Sequence, residues 1–345
     1  PILRALKEER EKGAGMPVCV RLVHTGQHFD PNMRERLIAQ LEIPTPHAFL
    51  EAQGDTHARQ TADIMVRFEA ELTANRPDMV VVVGDVNSTL ACALAAKKLS
   101  IPLAHVEAGL RSGDRSMPEE INRIATDSVS DYFFTTGEWA DQNLLREGMP
   151  ADSIFRVGNT MADTLLYSLP YARKPDFWAR AGLKADRFLL LTIHRPSNAD
   201  HPERMQAIID AAAARSRGLP IVWPAHPRLK THALALPPGL LLLPAQGYLE
   251  FLFLLSRCRA VLSDSGGVSE EATVLRKPCI VLRRVTERPE TLESGACVLA
   301  DADPQAIQSA LDRLFEDDWP IASPPPLWDG KAGIRIAKAL AHLSP

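Results

Sequence analysis

Residues 79–83, Met-Val-Val-Val-Val, form a short apolar run that ends two residues before Asp85. A second run, Ile101 to Val106, ends on Glu107, and Glu119 opens the helix-like stretch Pro118 to Arg123. Three carboxylates therefore stand where apolar strands give way to helices. In open α/β sheets ligands lie in the crevice beyond the carboxyl ends of parallel strands, so acids at these positions are placed for chemistry.

The same alternation runs along the chain. Val18 to His24 is followed by Met33 to Leu41, Met79 to Val83 by Thr89 to Leu99, Ile101 to Val106 by Glu119 to Val129, and Tyr132 to Thr135 by Glu138 to Glu147. Repeated strand and helix patterns predict a parallel sheet with helices on both faces. Tyr167 to Lys184, with Pro170 and Pro175, breaks the pattern and reads as a hinge. A second series then runs through Phe188 to Ile193, Glu203 to Arg215, Pro220 to Trp223, Leu240 to Leu243, Leu249 to Leu255, Ala260 to Leu262, Ser269 to Leu275 and Cys279 to Leu282. With 345 residues there is length for two ordinary domains, each with its own core. The expected fold is α/β, two doubly wound Rossmann-like domains: 1–168, joined by a C-terminal helix within 331–345, and 173–326. Four prolines in Pro320 to Pro326 predict an extended connection into that helix. An α/β domain usually opens on a strand, whereas residue 1 already lies in a helix-like stretch, so a leading strand is expected to be missing.

A net charge of −4 gives no electrostatic case for nucleic acid. The five cysteines, Cys19, Cys92, Cys258, Cys279 and Cys297, are odd in number and form no C-x-x-C pair, as expected of reduced thiols in the cytosol. No apolar run reaches the roughly 18 to 20 residues needed to cross a bilayer, and the N-terminal PILRALKEEREKG is charged and amphipathic, unlike a signal peptide. A cytoplasmic protein without membrane contact is expected.

Several motifs suggest a nucleotide site. Ala260 to Ala272, AVLSDSGGVSEEA, is a strand, a Gly-Gly turn and a helix start, in which Ser265, Gly266 and Gly267 let backbone N–H groups approach a phosphate. Glu271 lies about one turn on, within reach of a ribose diol. Taken alone, the turn is equally well a strand-to-helix connection with acids serving the helix dipole. His194 follows the strand Phe188 to Ile193, beside Arg195, suited to holding a pyrophosphate or trading protons; the competing reading has Ser197, Asn198 or Asp200 capping the next helix. His226, in PAHPR, reads as loop support. Asp85 has a rival role as an N-cap, and Glu119 as a first-turn acid after Pro118. Glu107 is harder to explain away, because it interrupts an apolar strand before Ala-Gly. Arg288 suits either a phosphate or a neighbouring acid. P-loop, G-x-S-x-G, metal-ligand and complete G-x-G-x-x-G patterns are absent.

Taken together and in order, HTGQH (24–28), GDVNST (84–89), HVEAGLR (105–111), MPEEINR (117–123), HRPSN (194–198), DSGG-x-x-EEA (264–272), RKP (276–278, for the usual GKP) and TERPE (286–290) resemble the non-hydrolysing UDP-N-acetylglucosamine 2-epimerases over nearly the whole chain. The resemblance implies the GT-B architecture, with the active site in the cleft between two domains. It implies a catalytic set of Asp85, Glu107, Glu119 and His194. Gln246 and Phe251 match the uracil-contacting segment, Ser265, Gly266 and Gly267 the diphosphate cradle, Glu271 the ribose ligand, and Arg123 and Arg288 positions facing the nucleotide sugar. It further implies a homodimer, a UDP-N-acetyl hexosamine substrate and a reaction without NAD or metal. That reaction is elimination of UDP to 2-acetamidoglucal and re-addition, since carbon 2 has no neighbouring carbonyl to stabilise a carbanion. Departures are Ser197 for a common glutamate, Arg276 for a usual glycine, and no counterpart to the family's first Gly-Thr-Arg-Pro-Glu loop with its basic residues. Three other functions share parts of this pattern: an epimerase of a modified acetamido sugar, a GT-B glycosyltransferase, and a nucleotide-sugar binding protein without catalysis.

Overall fold

The computed structural model describes residues 1–11, 18–26, 38, 40–225, 229, 231, 234–320 and 322–343. His28, His226 and most of the helix expected over Met33 to Leu41 lie outside the described residues. The chain divides into two compact units, Pro1–Thr164 with Pro326–Pro345, and Leu165–Pro325.

In the first unit, β1 (Val23–His24) pairs in parallel with β2 (Ala48–Phe49). The strands β3 (Val80–Val83), β4 (Leu103–Ala108), β5 (Tyr132–Thr135) and β6 (Ile154–Arg156) form a parallel sheet in sequence order. Of the strand expected over Val18 to His24 only the last two residues pair. Upstream, the His47 imidazole Nδ1 takes the Leu22 N–H instead. The helix Asn87–Lys98 buries Ala91, Cys92, Ala93, Ala95 and Ala96, small side chains that let it lie close against its neighbours. The helix His57–Ala74, which the sequence patterns do not announce, is capped by Thr56 and buries Ile64, Phe68 and Leu72 in the same core. At the edge of its sheet β3 buries Val80 and Val82, whereas Val81 and Val83 are exposed.

The C-terminal helix Ala332–His342 also belongs to this unit and packs on Ile2–Glu11 through Ala5, Leu6 and Ala337. Its first turn is held from outside the helix: the Asp163 carboxylate accepts the N–H groups of Ala332 at 3.0 Å and Gly333 at 2.7 Å. A side chain at Gly333 would put its Cβ 2.9 Å from the Pro1 carbonyl carbon, so glycine sets the approach of the two helices.

The second unit holds β7 (Leu189–Thr192), β8 (Ile221–Ala225), β9 (Leu240–Pro244), β10 (Ala260–Ser263), β11 (Cys279–Val281) and β12 (Cys297–Leu299). All pairs are parallel, in the order β12-β11-β10-β7-β8-β9. This is a doubly wound order, and it reverses direction between β7 and β10, the switch point at which such sheets bind ligands. Ser263 pairs with Thr192 there, so the segments bearing His194 and Asp264 leave the sheet side by side.

Candidate active site

In the first unit the acids cluster around β3 and β4. Val83 pairs with Val106, so Asp85 and Glu107 leave the ends of adjacent strands. Asp85 is not the cap of the following helix, whose N-cap is Val86 without a side-chain bond. Instead Arg123 Nη2 donates to Asp85 Oδ2 at 2.6 Å and Asn122 Nδ2 to the Asp85 carbonyl at 2.9 Å. Arg123 is itself buried and also donates to Glu120 at 2.8 Å. Glu120 accepts the Ser112 and Gly113 N–H groups as well, tying the loop after β4 to the start of helix Pro118–Val129. Glu119, beside it in that first turn, is half-buried.

Glu107 sits where the pairing of β4 with β5 shifts register, with a backbone φ of +68°. A bulge of this kind re-aims a side chain, and left-handed backbone at a residue other than glycine costs about 1–3 kcal/mol. Thr160 Oγ1 reaches its carboxylate at 3.3 Å. A network centred on the buried pair His105 and Asp127 braces the bulge. Asp127 accepts from His105 Nδ1 at 2.6 Å, from the Gly109 N–H at 3.0 Å and from Arg111 at 2.7 Å, while His105 Nε2 donates to the Gly84 carbonyl at 2.9 Å. Glu107 is thus bracketed by two residues, His105 and Gly109, anchored to one carboxylate. Burial alone would raise the Asp127 pKa, but His105 and Arg111 outweigh it and hold it low. For His105 burial pulls the pKa down, and the Asp127 bond and charge turn the net shift upward.

In the second unit Asp264, fully buried, accepts the backbone N–H groups of His194 at 3.0 Å and Arg195 at 3.0 Å, and Asn198 Nδ2 at 3.2 Å. His194 Nδ1 lies 2.8 Å from the same carboxylate. The imidazole is thereby fixed with Nδ1–H toward Asp264, leaving Nε2 for a ligand. Asn198 serves this anchor rather than a helix cap.

Ser265 caps helix Gly266–Val274 and accepts from the Val268 N–H, with Gly266 and Gly267 in the first turn. A helix N-terminus of this form is an anion site. Glu271, one turn along, is 4 % exposed, and the Tyr248 hydroxyl donates to it at 2.9 Å. Burial pushes the Glu271 pKa up to about 7. Arg288 is buried and pairs with Glu270, and Arg283 pairs bidentately with Glu287. Gln246 Nε2 donates to the Pro244 carbonyl at 2.7 Å, and Phe251 packs partly buried in helix Tyr248–Arg257. No group of three or more His, Cys, Asp or Glu side chains among the described residues converges as a metal site.

Each unit therefore assembles its own predicted residues: Asp85, Glu107, Glu119 and Arg123 in the first, His194, Ser265, Gly266, Gly267, Glu271, Arg288, Gln246 and Phe251 in the second. Sequence reasoning missed Asp127, Glu120, Asp264 and Tyr248 as anchors. Glu120 and Asp264 lay inside quoted motifs as acids beside the chosen residues, and Tyr248 lay in the uracil segment between Gln246 and Phe251; Asp127 carried no signal.

The family model for UDP-N-acetylglucosamine 2-epimerase matches residues 14–341. The chain belongs to this family. The UDP-N-acetylglucosamine 2-epimerase of Methanocaldococcus jannaschii is 39% identical, over 99% of this chain and 94% of its own length. The UDP-2,3-diacetamido-2,3-dideoxy-D-glucuronate 2-epimerase of Pseudomonas aeruginosa is 41% identical over 93% and 91%. Among solved structures, the M. jannaschii epimerase in complex with UDP-GlcNAc and UDP superposes with a TM-score of 0.87 at 38% identity, covering 99% of this chain and 96% of the other. The Neisseria meningitidis UDP-GlcNAc 2-epimerase bound to UDP-GlcNAc gives 0.85 at 29%, covering 99% and 97%. As in these epimerases, the architecture is GT-B, two Rossmann-like units.

Proposed function

We propose that the protein interconverts UDP-N-acetylglucosamine and UDP-N-acetylmannosamine at carbon 2. The observation that carries this reading is Glu107, an acid held in left-handed backbone at the end of β4 by a buried network, next to Asp85 with its Arg123 partner. This reading is supported by a family match over residues 14–341.

Breaking the bond from carbon 1 to the diphosphate oxygen sends the electron pair to UDP. A carboxylate takes the proton from carbon 2, and the carbon 1–carbon 2 double bond of 2-acetamidoglucal forms. Return delivers a proton to the opposite face of carbon 2 while the diphosphate oxygen attacks carbon 1. Asp85, Glu107 and Glu119 carry the proton work, and the departing charge is met by the helix N-terminus at Ser265 to Gly267 with His194 and Arg288. Arg123 orients Asp85, Gln246 and Phe251 receive the uracil, and Glu271 binds the ribose diol. None of these steps calls for NAD or a metal. We place the reaction in the cytoplasm, in line with five unbridged cysteines, and infer a homodimer from the family.

A second reading has one observation in its favour, the 41% identity to the P. aeruginosa diacetamido-glucuronate epimerase. Proton NMR of each UDP-sugar with the protein in deuterium oxide tests both. Deuterium at carbon 2 together with the epimer of UDP-N-acetylglucosamine is the expected result. Exchange with the diacetamido-uronate alone would move the assignment to the second reading, and exchange with neither would remove the epimerase assignment.

A further inference from the structure

Glu271 has a demanding position. Its carboxylate is buried, and among the described residues Tyr248 is the one side chain that hydrogen-bonds it, through Oε1 at 2.9 Å. Tyr248 is the first residue of helix Tyr248–Arg257, whose N-cap is Gly247 and whose first turn also carries Phe251 bonded back to the Gly247 carbonyl. Its backbone neighbour Leu249 accepts the Arg173 N–H at 3.0 Å, so this end of the helix is pinned. The segment Gln246 to Phe251, expected at the uracil, and the acid expected at the ribose are thus joined by one phenol.

We propose that Tyr248 is the positioning residue for nucleotide recognition: its hydroxyl fixes the Glu271 carboxylate for the ribose diol and makes ribose binding depend on the uracil segment. The proposal rests on Glu271 as the ribose ligand. The chemistry suits the role. Burial and the Glu271 charge both raise the phenol's pKa, so it remains a donor. A donor on Oε1 orients the carboxylate about its last torsion, which is otherwise broad, and presents Oε2 to the sugar hydroxyls. A phenylalanine would keep the ring's packing and lose that orientation.

The test is isothermal titration of wild type, Tyr248→Phe, Glu271→Gln and the double variant with UDP and with 2′,3′-dideoxy-UDP. Wild type is expected to prefer UDP by about tenfold or more, the worth of hydrogen bonds to a charged group. Tyr248→Phe should shrink that preference several-fold, leaving dideoxy-UDP affinity within about twofold, and the double variant should lose little beyond Glu271→Gln, as coupled residues do. If wild type prefers UDP and Tyr248→Phe keeps the full preference, or the two losses simply add, Tyr248 has no such role. If wild type does not distinguish the ligands, the assignment of Glu271 to the ribose is wrong and this inference falls with it.

Discussion

The two units hold their chemical groups by different physical means. In the first, Glu107 depends on a buried ionic network, with Asp127 shared among His105, Gly109 and Arg111, and on a strained backbone. In the second, backbone N–H groups at a helix start and a fully buried anchor, Asp264, support the site, and β10 beneath them is buried along its length. By contrast β3 leaves Val81 and Val83 exposed. The first arrangement is specific but intolerant, because removing one partner strands the others as buried charges. The second rests more on main-chain geometry, which survives side-chain change.

The strongest way to break this contrast is Asp127→Asn. It leaves His105 and Arg111 short of a buried countercharge and should cost about 3–5 kcal/mol in urea unfolding. UDP affinity, which we assign to the second unit, should stay within about threefold, since distant sites act independently. A loss of stability under 1 kcal/mol would show that the network is not what holds the first site. Asp264→Asn comes next. An amide in place of the carboxylate removes the preference for one His194 tautomer, and turnover should fall by roughly a hundredfold, the scale of positioned proton transfer. An unchanged kcat would take His194 out of the reaction.

Glu271 supplies a smaller effect with a defined sign. Its pKa in the folded protein, about 7, stands above the ordinary carboxyl value of 4.5, so the native state binds the proton more tightly than the unfolded chain. The resulting stability is present below pH 4.5 and lost as pH rises through about 7. On the linkage relation it amounts to roughly 3 kcal/mol. Glu271→Gln should flatten that part of the pH–stability curve, measured as urea midpoints between pH 5 and 8; an unaltered slope would mean the carboxyl titrates normally. The mildest case is Gly266→Ala. The new Cβ would lie 2.7 Å from Glu287 Oε1, the end of a side chain already paired to Arg283. Yielding there should cost about 1 kcal/mol and weaken UDP several-fold, as calorimetry would record.

Much of this was legible along the chain. The apolar runs before Asp85 and Glu107 marked β3 and β4, and the Gly-Gly turn marked the helix start at Gly266, because local periodicity and turn chemistry fix these features. Asp127 was not legible. In the sequence it is a polar residue in a helix, and its partner His105 lies 22 residues earlier on a strand that only tertiary packing brings near. The bulge at Glu107 is equally a property of two strands, not of one. The helix His57–Ala74 hid behind its charged residues, since Ile64, Phe68 and Leu72 are its buried positions and Met65 packs beside them partly exposed. β12, three residues long, falls below the length at which alternation can be read.

The central claim is that the bond between carbon 1 and the diphosphate oxygen breaks and re-forms. The direct measurement uses UDP-N-acetylglucosamine carrying oxygen-18 at that bridging position, followed by phosphorus NMR alongside deuterium uptake at carbon 2. Elimination frees the β-phosphate to rotate, so the label should scramble into non-bridging positions at a rate comparable to deuterium incorporation. Deuterium entering carbon 2 while the label stays in the bridge would contradict the account.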